Sequence, residues 1–244
     1  MTHNAIVLHE ILDGAVGAFE DIGRSEFATI LSYNKSVLSV QSALADTHEN
    51  AIVLTFDDGH GSDHDIALPM LVAAGGSATF FIVPEFVNTP GFMTWDQIRT
   101  LHNAGMEIGS HSMTHPDFRK LDASSAIAEL KSSKARIEDE INASVISFAF
   151  PFGFAPERSF EQARDAGYQY IMGSHHGVIG IQRNVILPRN SVHGAMSALQ
   201  ISNVLNASSW QRLCWFVEDV AKIVLKTTLS KSVYHQIRRI IAGS

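Results

Sequence analysis

The stretch that decides the fold of this chain is a predicted buried strand that ends in two acidic residues. It spans residues 51–59 and reads Ala51-Ile52-Val53-Leu54-Thr55-Phe56-Asp57-Asp58-Gly59. The first six residues are mostly apolar, and their β-branched and aromatic side chains indicate a buried strand. Two neighbouring carboxylates repel each other, and each is costly to bury alone. The sequence therefore predicts a compensating group close to Asp57 and Asp58.

The best candidate for that group is a pair of histidines, His111 and His115, which follow a second predicted strand at residues 106–109. On a helical turn, residues four apart lie on one side, so both rings would face the same way. A carboxylate and two neutral imidazoles suit Zn²⁺, and Co²⁺, Ni²⁺ or Mn²⁺ would also fit them. One aspartate would then bind the ion while the other acts as a base. In the alternative interpretation, the histidines are ordinary core or surface residues, and Ser112 caps a short helix.

Predicted strands alternate with predicted helices over most of the chain. The strands cover residues 5–8, 37–40, 51–56, 78–83, 106–109, 145–150, 168–172 and 185–187. Short connections between elements predict parallel pairing with right-handed crossovers. The acidic pair, the histidine pair and the turn Pro151-Phe152-Gly153 all follow strands, and parallel barrels gather their chemistry at such ends. The sequence therefore predicts an α/β fold in which the three motifs meet on one face.

The composition argues against a nucleic-acid-binding protein. The 244 residues carry a net charge of −7 and a pI of about 5.9, whereas nucleic-acid binding needs a basic face. The single cysteine, Cys214, allows no intrachain disulfide. The N-terminus has no basic region, and no apolar run approaches the ~20 residues of a membrane span. We therefore expect no signal peptide and a cytoplasmic location.

The last part of the chain, from Trp210, is locally basic although the protein is acidic. It holds six lysines and arginines against Glu218 and Asp219. Its apolar residues predict two amphipathic helices, interrupted near residues 227–230. Such helices would pack on the barrel or on another subunit. Alternatively, they would make peripheral contact with an anionic membrane, which attracts basic amphipathic helices.

Three motifs follow one another in the chain with a characteristic spacing. They are Thr55-Phe56-Asp57-Asp58-Gly59, His111-Ser112-Met113-Thr114-His115 and Phe148-Ala149-Phe150-Pro151-Phe152-Gly153. In this order they resemble the polysaccharide deacetylases, the NodB-like carbohydrate esterases of family four. The resemblance covers about residues 5–195. It implies a distorted, incomplete (β/α) barrel of seven or eight strands, with residues 1–205 as the catalytic domain and residues 206–244 as a C-terminal helical extension.

The resemblance also implies roles for individual residues. Asp57 would be the general base, and Asp58, His111 and His115 would bind a divalent metal ion, by default zinc. Substrates in the family are N-acetyl groups, usually on polymers of N-acetylglucosamine, and some members remove O-acetyl groups instead. A bound ion polarises the carbonyl and lowers the pKa of a water molecule, whose proton the base takes.

The turn after the third motif has a separate implied role at the oxyanion. A tetrahedral oxyanion needs the ion and a backbone N–H. Phe152 would offer that amide, because Pro151 has none.

The chain departs from the family pattern at two catalytic positions. Where the third motif often carries an arginine that orients the base, this chain has Ala149. Arg189 is the candidate substitute, although it would equally suit an ordinary surface position. The motif that supplies the catalytic acid is unclear, and His193 is the nearest candidate, with His175 and His176 behind it. An imidazolium at that place would protonate the departing amine.

These features together predict a metal-dependent deacetylase that acts on an N-acetylated glycan or oligosaccharide. A rival hypothesis is a hydrolase of a small, non-sugar C–N bond on the same frame. It is favoured by the absence of the Asp-x-x-Asp-Trp motif of chitin and peptidoglycan members. A second rival is an inactive, metal-holding binding protein, which the missing arginine of the third motif and the unclear catalytic acid favour.

Overall fold

A computed structural model describes residues 2–14, 21–45, 50–156, 158–180 and 185–217 of the chain. Within these ranges the strands are β1 Asn4–Leu8, β2 Ile11–Leu12, β3 Ile22–Gly23, β4 Val37–Leu38, β5 Ile52–Phe56, β6 Thr79–Ile82, β7 Glu107–Ser110, β8 Ser147–Ala149, β9 Tyr170–Met172 and β10 Asn190–Ser191. Eight of them form one sheet, in which β10, β1, β5, β6, β7, β8 and β9 are successive neighbours and β4 pairs with β5. All of these pairings are parallel. Strands β2 and β3 pair separately.

Helices connect most of the strands. They are α1 Arg24–Leu31, α2 Val40–Ala45, α3 Leu68–Ala74, α4 Trp95–Asn103, α5 Ala123–Ile141, α6 Ser159–Asp165 and α7 Ala198–Asn206, with shorter helical turns at Asp63–Ala67, Phe118–Lys120 and Pro151–Gly153. Local signals set several of their boundaries. Thr94 and Gln97 form a capping box at the start of α4, and the side chain of Asp122 caps α5.

The sheet curls into a barrel. The barrel is incomplete, because little regular pairing joins its two outer strands, β9 and β10. Leu187 forms an isolated parallel bridge with Met172 of β9, and β10 begins three residues later and pairs with Ile6 and Val7 of β1. The prediction of a last strand at residues 185–187 was therefore wrong in position, since the regular pairing lies at Asn190–Ser191. The predicted α/β architecture, a distorted and incomplete (β/α) barrel, is confirmed.

Alternation along β5 separates the interior of the barrel from the layer beneath the helices. Ile52, Leu54 and Phe56 belong to the large outer core that the helices cover. Val53 belongs to a smaller inner cluster. Because the period of a strand is two, Thr55 and Asp57 continue this inward row. Asp57 therefore lies at the C-terminal mouth of the barrel.

The structure describes only the beginning of the predicted C-terminal extension. Residues 209–217 are helical, and Trp215 is buried, with its ring stacked on His176 at a centroid distance of 5.8 Å. The second predicted amphipathic helix lies outside the described residues. In the part of the chain that is described, no helix is long and apolar enough to cross a membrane. The domain boundary at residues 205 and 206 stays a prediction.

Candidate functional site

Three candidate metal ligands converge at the C-terminal edge of the sheet. Asp58 follows β5 with a left-handed backbone, at φ 75°, and His111 and His115 follow β7. The Asp58 Oδ1 atom lies 3.4 Å from Nε2 of His115 and 3.6 Å from Nε2 of His111. One ligand atom from each of the three residues lies within 4.8 Å of the others. The sequence therefore identified three side chains that the fold brings together.

The geometry and charge of this group fit a divalent cation. Atoms bound at about 2.1 Å to a tetrahedral ion lie about 3.4 Å from one another, and the two distances from Asp58 Oδ1 to the imidazole nitrogens are close to this value. The Asp58 Oδ1 atom is buried and accepts no hydrogen bond within the described residues. Burial raises the pKa of Asp58, but the nearby imidazole of His60 and the charges of His111 and His115 outweigh this effect, so the net shift is downward. An ionised, buried oxygen therefore faces two imidazoles, a donor set that suits zinc and similar ions.

The hydrogen bond at the far side of the His111 ring fixes which nitrogen faces Asp58. The Nδ1 atom lies 2.8 Å from the carbonyl oxygen of Ala149, and a carbonyl only accepts, so this nitrogen carries the proton. Burial lowers the pKa of His111 more than the charges of Asp57 and Asp58 raise it. The ring is therefore neutral near pH 7, with Nε2 unprotonated and able to bind a metal.

The helical turn that the sequence predicted for the two histidines is wrong. Residues 111–115 form an irregular loop, in which Ser112 and His115 have φ values of 69° and 57°. Two left-handed residues reverse the chain and bring the ring centroids of His111 and His115 to 5.0 Å from each other.

Asp57 is bound by Arg189 in a buried, two-pronged ion pair. Nη1 and Nη2 of Arg189 donate to Oδ1 and Oδ2 of Asp57 over 2.6 Å and 2.9 Å. Arg189 is fully buried, and its Nε donates to the carbonyl of Gly173 over 2.8 Å. The alternative of an ordinary surface arginine is therefore wrong. Burial acts to raise the pKa of Asp57. The charges of Arg189 and His111 lower this pKa by more than burial raises it, so the carboxylate stays ionised.

The turn Pro151–Gly153 borders the metal centre. Phe152 has φ 58°, and its exposed ring meets His115 edge-on at a centroid distance of 4.7 Å. Gly153 is also left-handed, at φ 67°, and a Cβ there would lie 2.2 Å from Cβ of Ser174. Only glycine fits this position, which fixes the turn beside the candidate ligand.

The remaining histidines differ in their relation to the site. His60 lies near the candidate ligands, with Nε2 3.8 Å from Asp58 Oδ2. His193 follows β10 at the same edge of the sheet, two strands away from Asp57, and burial lowers its pKa. The backbone carbonyl of His175 accepts from the amide of Arg189, while His176 stacks on the C-terminal helix. The proton-donating role of His193 stays a prediction.

Sequence reasoning missed a further carboxyl group near the site, that of Asp63. This side chain is fully buried. Burial and the charges of Asp58, Asp57 and Glu10 raise its pKa well above the usual value. Neither carboxyl oxygen has a hydrogen-bond partner within the described residues. No sequence pattern marks this environment, since an aspartate at the start of a helix is normally solvated and interacts favourably with the helix dipole.

We expect Asp63→Asn to stabilise the metal-free protein above about pH 4. A carboxyl whose pKa is raised on folding contributes most below its unfolded pKa, near 3.8, and that contribution falls as the pH rises through the folded value. Asparagine has the same shape and cannot ionise. Urea unfolding at pH 5 and pH 8 should show a variant whose advantage over the parent grows with pH.

Asp65→Asn, an exposed neighbour in the same helical turn, is the control and should show no such growth. A constant difference between the Asp63→Asn protein and its parent at all pH values would contradict the raised pKa.

Comparisons with known proteins place this geometry in a family. The sequence model of the polysaccharide deacetylase family matches residues 45–171. The chain is 28% identical over 129 residues to a bifunctional xylanase/deacetylase of Pseudobutyrivibrio xylanivorans, covering 53% of this chain and 20% of that protein. It is 26% identical over 130 residues to a peptidoglycan-N-acetylglucosamine deacetylase of Bacillus cereus, covering 53% of this chain and 59% of that protein.

The fold agrees with solved structures as well. The Streptococcus pyogenes deacetylase PplD, solved in complex with acetate, superposes with a TM-score of 0.74 at 18% identity, over 84% of this chain and 98% of that one. At this identity the likeness establishes the fold alone. The chain spans less than two thirds of both curated relatives described above. Since the family match extends over slightly more than half of the sequence, the chain belongs to the polysaccharide deacetylase family.

Proposed function

We propose that this protein is a metal-dependent hydrolase that removes acetyl groups from the N-acetylated sugars of a glycan or oligosaccharide. The observation that carries the proposal is that two neighbouring aspartates, Asp57 and Asp58, have different surroundings. The buried Asp57–Arg189 pair lies beside the candidate ligands, with Asp57 Oδ2 3.7 Å from Nε2 of His111. This adjacency supports a role in proton transfer for Asp57 and a role in metal binding for Asp58. The name of the Bacillus cereus relative, a peptidoglycan-N-acetylglucosamine deacetylase, supports the choice of substrate.

The chemistry divides between the ion and the side chains of the chain. A divalent ion, by default Zn²⁺ with Co²⁺, Ni²⁺ and Mn²⁺ as alternatives, would be held by Asp58, His111 and His115 and would supply Lewis acidity to an unreactive amide. Asp57 accepts the proton of the attacking water. Arg189 keeps Asp57 ionised and fixes its orientation through two parallel hydrogen bonds.

Two further groups complete the proposed reaction. The backbone amide of Phe152 donates to the developing oxyanion. His193, when protonated, gives a proton to the departing nitrogen, and because burial lowers its pKa the imidazolium is a stronger acid than a solvated one. The new bond joins the water oxygen to the acyl carbon, the C–N bond breaks, and the products are acetate and a free amine.

The test is metal analysis of the purified full chain together with acetate release. We expect close to one divalent ion per chain and release of acetate from N-acetylglucosamine oligomers that stops after chelation. Acetate release from small amides but not from the oligomers would favour the small-substrate hydrolase. A protein that holds metal but releases acetate from neither substrate class would favour the inactive binding protein.

We also propose that the helical segment 209–217 contacts an anionic membrane surface. Trp210, Leu213 and Phe216 are 70%, 52% and 66% exposed, and the sequence from Trp210 onward is basic. We expect the full chain to sediment with anionic vesicles, less so at high salt, and not with neutral vesicles. A double replacement, Trp210→Ser with Phe216→Ser, should reduce this binding, and unchanged binding would contradict the proposal. The cytoplasmic location stays a prediction.

A further inference from the structure

The loop between the two candidate histidine ligands has an unfavourable backbone. Ser112 and His115 both lie in the left-handed region, which costs a residue other than glycine roughly 1–2 kcal/mol. The loop also turns its amides away from the sheet, since only the amide of His111 continues the pairing, to the carbonyl of Ile82. Contacts from elsewhere must therefore stabilise this conformation.

Glu129 supplies most of those contacts. Its Oε2 atom accepts hydrogen bonds from the amides of Met113 and Thr114 over 2.8 Å and 2.9 Å, and its Oε1 atom accepts one from the Thr114 hydroxyl over 2.8 Å. The amide of His115 donates to Ser112 Oγ over 3.1 Å. Each amide from residue 113 to residue 115 thus has a side-chain acceptor. The two on Glu129 are charge-assisted, the stronger kind of hydrogen bond.

Glu129 is in turn fixed by a well-packed helix. It lies in α5, and the next residue, Leu130, is fully buried in the outer core. One turn further along, the hydroxyl of Ser133 lies 2.8 Å from that of Ser110, the last residue of β7. One face of α5 therefore holds both the strand that leads to His111 and the loop that ends at His115.

We propose that Glu129 is a positioning residue of the metal centre, which fixes the loop between His111 and His115 and thereby sets the affinity for the ion. This inference rests on the metal dependence proposed above. Glu129 is not one of the three converging ligands, and its oxygens already accept three hydrogen bonds from the loop. Groups that hold metal ligands in place typically contribute 10–100-fold in metal affinity.

The test compares the metal affinity of Glu129 variants of the full chain. In a competition titration with a chromophoric chelator, we expect Glu129→Ala to weaken Zn²⁺ binding about 10–100-fold and to alter the absorption spectrum of the Co²⁺-loaded protein. Glu129→Gln keeps an oxygen that can accept hydrogen bonds from the amides of Met113 and Thr114, so this variant should retain most of the Zn²⁺ affinity. Asp139→Ala, which removes an exposed carboxylate from the same helix, is the control and should match the parent in affinity and spectrum.

The melting temperature of the metal-free proteins separates positioning from general stability. A residue with a merely structural role would lower that temperature and leave the affinity and the Co²⁺ spectrum unchanged, a result that would overturn the inference but not the metal proposal. A parent protein without Zn²⁺ binding would overturn both. If Glu129→Ala does not fold, Glu129→Asp withdraws the carboxylate by one methylene and keeps its charge, and a parental affinity in that variant would equally overturn the inference.

Discussion

The Asp57→Asn variant is expected to keep its metal ion and to lose between about 10² and 10⁴ in kcat. Asparagine has nearly the same shape and retains an oxygen for Arg189, but it cannot take a proton from water. The candidate ligand atoms belong to other residues, Asp58, His111 and His115. Metal analysis and acetate release on the same preparation therefore separate the loss of a base from the loss of an ion.

The control for this prediction is His111→Ala, which removes a ligand and should lose metal and activity together. Zn²⁺ added in excess should restore part of the activity of that variant if the remaining two ligands still hold the ion weakly, and none of the activity of Asp57→Asn. An Asp57→Asn protein that turns over at the parental rate would show that the proton is taken by another group.

The sequence was sufficient for those parts of the site that one strand carries on its own. Residues 51–58 contain both the pattern of a buried strand and the two carboxylates. Because side chains alternate along β5, the inward position of Asp57 follows from that of Val53 by counting in twos. The two histidines were likewise close in sequence, and the parallel order of the sheet places β7 two strands from β5.

Contacts between distant segments were not predictable in the same way. Arg189 lies 132 residues from Asp57, and it reaches the barrel interior because Leu187 bridges β9 while Asn190 pairs with β1. No local pattern marks so short a strand. The prediction of a helical turn for the two histidines failed for the same reason. The left-handed conformations of Ser112 and His115 depend on contacts with α5, which follows later in the chain.

Breaking the Asp57–Arg189 ion pair at the arginine is expected to destabilise the protein and to lower its catalytic rate. Arg189→Met should lower the free energy of unfolding by about 3–5 kcal/mol near pH 7, because it leaves the Asp57 carboxylate buried without its partner. The loss should shrink on acidification, since a protonated Asp57 no longer needs the guanidinium. Urea unfolding at several pH values measures both the loss and its pH dependence.

The same variant should shift the pH–rate profile in a direction fixed by electrostatics. Arg189 lowers the pKa of Asp57, so its removal raises that pKa, and the acid limb of kcat/KM moves to higher pH. Arg189→Lys keeps the charge without the two parallel hydrogen bonds, and its acid limb should fall between those of the parent and Arg189→Met.

Replacing both partners, with Asp57→Leu and Arg189→Met, should recover much of the stability and none of the activity, because no charge then remains unpaired in the barrel. A double variant no more stable than Arg189→Met would show that the cost lies in lost packing around the guanidinium rather than in an unpaired carboxylate.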